Sequence, residues 1–514
     1  MSLRAGVFSL GLLLLSRALG LLRESAQAAA FGSTGMGDVV IVMFTLPDLL
    51  VGILVSGALS YVLLPVWAQQ SPSVQAAGQK RIAYVLTLVG LVLGLLVWLF
   101  RDAVVQALAP GLAGDMRVAS AGALGWSALV LPLAMLAALW VTRLQHECDF
   151  VGMYAGNLIV NLALVIGLFV VAKAAASGAA SGAAFQIPAL SLLGACLVIA
   201  MLGRLAWLAW RLPSRPQTAA IAEVFPLPAA SVWLWAALSS GLLLVFPLVA
   251  RSLASSAGEG ALASFNYAWK LIELPLVLAV QLVASLAFPA ITRTEAGTPA
   301  RQQAISLAFL VAWALACAAI AVVATFSLPI ANLLFGWGRM SAASLEVIAQ
   351  WSAIGIWSLL PQALMAVLLT VMATHGRMQA AVWVLSAGLA VLLVVGWLGN
   401  FEGTNMGTDV GTNVMWLLNG VFACMAVVLM LLERRRIKAG FPYLACLAPL
   451  LVCVGLVSLK PLLLGFSMTL TLIFCATFGV LVTSSAAMAS PVLRGFLREK
   501  FDKKSATDQS QVHV

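Results

Sequence analysis

The amino-acid sequence consists largely of apolar stretches about 20 residues long, separated by short connections. A helix of about 20 residues rises roughly 30 Å, which is the thickness of the hydrocarbon core of a bilayer. The longest connection, residues 204–223, is too short to bury a core in water. With 63% apolar and 9% charged residues, the chain is predicted to be an all-α polytopic membrane protein.

The apolar stretches predict fourteen transmembrane helices. They lie near residues 6–23, 38–66, 82–108, 119–142, 152–172, 184–208, 226–250, 262–290, 302–325, 344–371, 379–398, 410–432, 442–459 and 464–486.

The basic residues predict that both termini are cytoplasmic. With the N-terminus inside, 19 of the 28 Lys and Arg residues fall on the cytoplasmic side and seven on the outer side. Arg204, Arg211 and Arg215 are placed in one cytoplasmic connection, and Arg251 is placed outside. Only Arg17 and Lys270 remain within the membrane.

An internal repeat predicts two lobes of six helices each. FTLPDLLVGILVSGALSYVLLP in the second helix is similar to KLIELPLVLAVQLVASLAFP in the eighth, so the lobes should be related by a pseudo-two-fold axis normal to the membrane. Prolines bend helices, which makes Pro47, Pro65, Pro275 and Pro289 candidate hinges. The predicted divisions are an N-terminal lobe (1–210), a C-terminal lobe (211–433), two further helices (434–490) and a basic cytoplasmic tail (491–514).

Several charged residues lie inside or at the edge of apolar segments. A charge at the bilayer centre costs about 2.5–3.5 kcal/mol on insertion scales, so such residues usually face a polar pathway. Alternatives remain for each position: Arg23 can be an interfacial anchor, and Lys270 and Glu273, three residues apart, can simply pair on one helix face. The candidate substrate-binding residues are Arg17, Arg23, Asp38, Lys270 and Glu273.

Other functional classes find little support in the sequence. An enzyme would need a general base near an outer loop, whereas His146 and His375 are predicted on cytoplasmic loops. The scattered cysteines form no metal-ligand spacing, and there is no nucleotide-binding motif. The basic residues follow the membrane pattern rather than a nucleic-acid patch. We therefore expect no catalytic residues, no cofactor, no metal and no nucleic-acid partner.

Six motifs in order resemble the MurJ/MviN lipid II flippase family of the multidrug/oligosaccharidyl-lipid/polysaccharide exporter superfamily. They are SRALGLLRE, GMGD at 35–38, LPDLL with SGALSYVLLP, APGL at 109–112, YAWKLIELP, and LLFGWGRM at 333–340. The resemblance implies two six-helix lobes around a cationic cavity, with two extra helices bordering a lipid-tail groove. It also implies that Arg17, Arg23, Asp38, Lys270 and Glu273 serve the substrate.

The resemblance implies a lipid II flippase of the bacterial cytoplasmic (inner) membrane, which works by alternating access and is driven by membrane potential or a bound cation. Predicted helices 7 and 11 contain no Asp or Glu, and Asp409 lies at the edge of helix 12, which favours the membrane potential. Its partners would be a lipid-linked glycan diphosphate, membrane lipids and cell-wall synthesis proteins. Val51 and Gly52 stand where the family usually has a basic pair, and Lys270 replaces its usual arginine. A flippase for another polyprenyl-linked oligosaccharide (an exopolysaccharide or O-antigen unit) and a multidrug antiporter of the same superfamily are therefore the alternatives.

Reporter fusions test the predicted topology. A fusion at Ser177 is expected to report the periplasm and one at Lys438 the cytoplasm, because an odd number of predicted helices separates them. Paired reporters active only in one compartment or the other would provide the measurement. Activity of both fusions in the same compartment would contradict the predicted orientation.

Overall fold

The computed structural model describes residues 3–176, 183–212, 228–281, 298–399, 407–437, 441–463, 465–491 and 493–495, with single positions 283, 287, 291 and 294. Their α-helices are α1 (Leu3–Phe31), α2 (Gly35–Ile53), α3 (Leu59–Ala68), α4 (Pro72–Leu99), α5 (Arg101–Leu108), α6 (Gly114–His146), α7 (Phe150–Ala176), α8 (Ala183–Arg211), α9 (Ala230–Ser255), α10 (Ala261–Pro275), α11 (Pro299–Phe335), α12 (Ala342–Gly355), α13 (Leu359–Thr374), α14 (Met378–Leu398), α15 (Gly407–Ile437), α16 (Tyr443–Ser458) and α17 (Met468–Ala489).

The structure confirms an all-α polytopic membrane protein. Within the described residues, eleven helical segments are long and apolar enough to cross a membrane, and α3 and α16 are shorter apolar helices. Helix α1, whose first residues have side chains outside the described set, and α10 are not among the eleven. The count of fourteen spans therefore stays a prediction.

Contacts divide the chain into two compact units. The first unit contains Met1–Tyr267, Leu334–Leu345 and Leu393–Val414, and the second contains the rest. In the first unit, α1, α2, α6, α7 and α8 share one core of apolar side chains. In the second, Leu310 and Ala314 of α11 pack with Cys446 of α16 and Ala486 of α17. The lobe boundaries predicted at 210 and 433 remain a prediction.

Helix α4 shows how apolar helices pack where water offers no driving force. Gly90 and Gly94 form a Gly-x-x-x-Gly pattern that lies directly on α6: an added Cβ would come within 2.5 Å of Pro132 Cα and of the Ala128 carbonyl oxygen. Small residues allow such close backbone approach in membranes. The remaining faces of α4 expose large apolar side chains, as expected of a lipid-facing helix.

Both of the similar segments identified in the sequence are interrupted helices. A π-helical turn (Leu54–Ala58) separates α2 from α3, between Pro47 and Pro65. A second π-helical turn (Leu276–Gln281) follows α10 directly after Pro275. Such turns are rare and concentrate at functional sites. Pro289 lies outside the described residues.

Two ion pairs, one in each unit, join a loop to the end of a helix. Between α6 and α7, Asp149 accepts hydrogen bonds from Arg211 Nε at the end of α8 (2.9 Å) and from the Gly152 N–H (2.9 Å). In the second unit, Arg377 before α14 pairs with the buried Glu433 near the end of α15 (2.5 Å). The two ion pairs have the same arrangement with their charges exchanged.

The Asp149 pair makes stability depend on acid pH. Burial raises the pKa of Asp149, but the bonds from Arg211 and the Gly152 N–H outweigh it and hold the pKa below its ordinary value of 3.8. The pair therefore stabilises the folded state above that value, and this stabilisation disappears as pH falls through the lower folded pKa.

Asp149→Asn is expected to lower the thermal midpoint at neutral pH, and the difference from wild type should shrink as the medium is acidified. Thermal unfolding of the detergent-solubilised protein across the acid range measures both. Asp115→Asn, at an exposed position, is the control. A difference that grows towards low pH would contradict this linkage.

Candidate functional site

Arg23 lies on α1 with its guanidinium held between two carboxylates. Its Nη2 donates to Glu24 Oε1 (2.9 Å) and to Asp48 Oδ2 on α2 (3.1 Å), and its side chain is only 11% exposed. The guanidinium also stands 5.7 Å from the ring centroid of Phe44. Glu24 is buried, whereas the Asp48 side chain is 58% exposed. The two partners therefore differ: one is fixed in the protein interior, and the other is accessible.

A polar network holds Glu24 in place. Asn266 of α10 donates from Nδ2 to Glu24 Oε2 (3.0 Å), and its Oδ1 accepts from Arg251 Nη1 of α9 (2.9 Å). Arg251 Nη2 donates to Thr45 Oγ1 of α2 (2.7 Å). Four helices of the first unit thus fix the carboxylate that neutralises Arg23. The sequence analysis had placed Arg251 in an outer connection, but it belongs to α9 and joins this network.

Arg23 borders a cavity of about 50 Å³ within the first unit. Asp48 and Arg204 supply its other charges, and Asn157 and Asn161 of α7 supply amides. Apolar side chains and one hinge candidate complete the lining: Phe44, Pro47, Val51, Val160, Leu164, Leu197 and Met201. Space of this size admits a few water molecules but no large ligand.

Arg204 lies deeper in a helix than the sequence predicts. It stands where the predicted helix 184–208 and the predicted connection 204–223 overlap, and it was counted with the connection. In the structure it lies within α8, seven residues before the end of that helix, and is 4% exposed. The prediction counted Arg204 with the basic residues of the connection, although all six residues between Arg204 and Arg211 are apolar or aromatic. The long helical continuation was the signal that could have identified it.

The other predicted site residues have different settings. Arg17 is exposed on α1, does not line this cavity, and has no hydrogen bond or ion pair within the part of the chain that the structure describes. Lys270 and Glu273 belong to the second unit, where Lys270 Nζ donates to Glu273 Oε2 (2.8 Å), and both side chains are part-exposed. The predicted pairing on one helix face is therefore present.

Asp38 has the contacts of a helix cap. The buried carboxylate accepts the backbone N–H groups of Gly260 and Ala263 at the start of α10, both at 2.7 Å. Gly260 is needed there because its φ is +82° and an added Cβ would come within 2.3 Å of the Ser33 carbonyl oxygen. Asp38 joins α2 to the helix that carries Asn266, and its role as a substrate contact stays a prediction.

Comparison with solved structures identifies the fold. "Lipid II flippase MurJ, inward closed conformation" superposes with a TM-score of 0.74 at 14% identity, covering 94% of this chain and 98% of that chain. An inward-facing multidrug resistance MATE family transporter of the MOP superfamily gives 0.63 at 14% identity, covering 82% and 94%. The outward-facing conformation of a MATE transporter gives 0.52 at 15% identity, covering 82% and 93%.

The chain therefore has the fold that solved lipid II flippase and MATE family structures share. A family model is more specific: the model described as "Lipid II flippase MurJ" matches residues 27–473. The chain belongs to that family. A "Probable lipid II flippase MurJ" of Rickettsia prowazekii (strain Madrid E) is 34% identical over 111 residues, and this match spans only 21% of the chain and 22% of its relative.

The two partners of Arg23 should differ in their effect on stability. Arg23→Met leaves Glu24 buried without its cation and is expected to cost about 3–5 kcal/mol of unfolding free energy. Glu24→Gln in the same background should recover much of this loss. Asp48→Asn, at the exposed partner, should cost only about 0–1 kcal/mol. Denaturant titration in detergent micelles measures wild type and the three variants, and equal losses for Arg23→Met and Asp48→Asn would contradict the assignment.

Proposed function

We propose that this protein is a lipid II flippase, which moves an undecaprenyl-diphosphate-linked headgroup from the cytoplasmic to the periplasmic leaflet of the bacterial inner membrane. We also propose that both termini are cytoplasmic. Family membership supports the substrate class. The observation that carries the chemical argument is the arginine pair of the cavity, Arg23 and Arg204, accompanied by amide donors.

The accessible partner of Arg23 suggests how a headgroup would bind. A diphosphate accepts charge-assisted and often bidentate hydrogen bonds from guanidinium groups. Asp48 is more than half exposed, so a phosphate can replace it as the acceptor for Arg23 while Glu24 remains in place. Lys270 and Glu273 of the second unit are also assigned to substrate binding, where a phosphate can replace the Glu273 carboxylate as the acceptor for Lys270. Arg17, which is exposed, is a further cation that we assign to the substrate.

The cavity is far smaller than a lipid-linked disaccharide, so the protein must adopt a more open conformation before the headgroup can enter. Alternating access would provide that conformation. The helix interruptions at Leu54–Ala58 and Leu276–Gln281, each beside a proline, are where we place the bending. We assign the polyprenyl tail to a groove bordered by α16 and α17, whose exposed faces are strongly apolar.

A flippase for another polyprenyl-linked oligosaccharide is the second candidate. One residue favours this candidate: Val51 lines the cavity at a position where the family usually has a basic side chain. The two candidates share the diphosphate and the polyprenyl tail, and differ in the sugars and peptide. Competition between the two classes of lipid in the transport assay below separates them.

Reconstituted transport tests the function. In proteoliposomes, labelled lipid II should cross the membrane only when the protein is present. Arg23→Gln and Lys270→Gln should each slow crossing by roughly tenfold or more, since each removes a charged hydrogen-bond donor. Arg23→Lys should keep part of the rate, because the charge remains but the bidentate geometry does not. Exposed Arg81→Gln on α4 is the matched control. Wild-type protein that leaves lipid II in its original leaflet would refute the proposal.

Membrane potential is the proposed energy source. An anionic headgroup that leaves an inside-negative compartment gains about 2.3 kcal/mol per charge per 100 mV. Within the described residues, no group of three or more His, Cys, Asp or Glu is arranged to hold a metal ion. Collapsing the potential in vesicles is therefore expected to stop transport, and replacing sodium at constant potential should leave the rate unchanged. A sodium requirement at constant potential would contradict this source.

A further inference from the structure

Arg204 is a buried charge without a hydrogen-bonding partner in the described part of the protein. It is 4% exposed, and its Nε is inaccessible and bonded to no other group there. The other strongly buried guanidiniums are treated differently: Arg23 bonds to two carboxylates, and Arg143 bonds to Gln75 and Glu147. The acidic group that acts on Arg204 is Asp48, which is itself bonded to Arg23. A buried charge without a hydrogen-bond acceptor is costly, so it persists where a ligand or a polar pathway uses it.

Packing directs Arg204 into the cavity that Arg23 borders. Its aliphatic stem lies against Gly156 of α7, where an added Cβ would stand 3.5 Å from Arg204 Cγ. Arg204 then lines the cavity together with Asn157 and Asn161. The single acidic residue in the lining, Asp48, already accepts from Arg23. Glu24 and Asp48 both bond to Arg23, so neither carboxylate is hydrogen-bonded to Arg204. An anionic ligand would supply the acceptor that Arg204 lacks.

We infer that Arg204 and Arg23 together form a diphosphate subsite, in which each guanidinium takes one phosphate group. The inference rests on the proposed function, because the diphosphate comes from the lipid-linked substrate. The amides of Asn157 and Asn161 donate to the remaining phosphate oxygens. Arg204 is thus a binding residue, and its missing protein partner is the substrate.

The test compares Arg204→Met with wild type, using full-length protein in detergent and two probes, undecaprenyl diphosphate and inorganic diphosphate. Losing a charge-assisted contact should weaken binding of both probes roughly ten- to a hundredfold. Arg204→Lys should fall between the two because its charge is kept without the fork. Arg81→Met, on the exposed face of α4, should bind both probes as wild type does.

Thermal stability separates a binding residue from a structural one. An arginine kept for substrate should leave the thermal midpoint unchanged or raise it when it becomes Met, because a costly buried charge is removed. A structural arginine should lower the midpoint. Should Arg204→Met fold poorly, Val51→Arg in that background returns a cation to the same cavity and should recover folding and binding together.

The outcomes distinguish this inference from the proposed function. Wild-type protein that binds undecaprenyl diphosphate, with Arg204→Met binding equally well, overturns the subsite and leaves the flippase proposal standing. Binding of inorganic diphosphate that depends on Arg204, without binding of the lipid, overturns the flippase proposal and keeps the subsite. A lowered midpoint with unchanged binding makes Arg204 structural and overturns the inference.

Discussion

Keeping guanidinium charge inside a membrane-spanning bundle is the constraint on which this molecule depends. The cost is large unless each charge finds a partner. The charge of Arg23 is paired with Glu24. Asn266 donates to Glu24, and Arg251 bonds to both Asn266 and Thr45. The packing of α1, α2, α9 and α10 within the first unit therefore serves one ion pair. Arg204 instead lines the cavity with its Nε buried and unbonded within the described residues, which is why we assign it to the substrate.

Much of the fold could be predicted because hydrophobic length is a local property. Each of the fourteen apolar stretches overlaps a helix in the structure, and the similar Leu-Pro segments both contain a helix interruption. The apolar stretches did not predict where a helix continues beyond its apolar residues. Helix α8 extends through Arg204 to Arg211 because its neighbours α6 and α7 pack along it, and hydropathy contains no record of those neighbours.

The candidate site was less predictable, because its geometry depends on residues far apart in the chain. Arg23 could be selected as a charge in an apolar segment. The two backbone N–H groups that bond to Asp38 come from residues more than 200 positions away, so the sequence alone gave no sign of this contact. Asn157 and Asn161 gave no signal in the sequence, since uncharged amides in an apolar helix are common. Their meaning depends on the arginines that face the same cavity.

The charge-exchanged ion pairs have a consequence for how the chain assembles during insertion. In each ion pair, a residue of a short loop bonds to a residue near the end of a helix. A crossed pairing would bring a loop to the helix end that belongs to the other pair. Asp149 brought to Glu433 would set two carboxylates together, and Arg377 brought to Arg211 would set two guanidiniums together. Both mismatches repel, whereas each correct match attracts. The exchanged signs therefore favour each native pair over the crossed pairs.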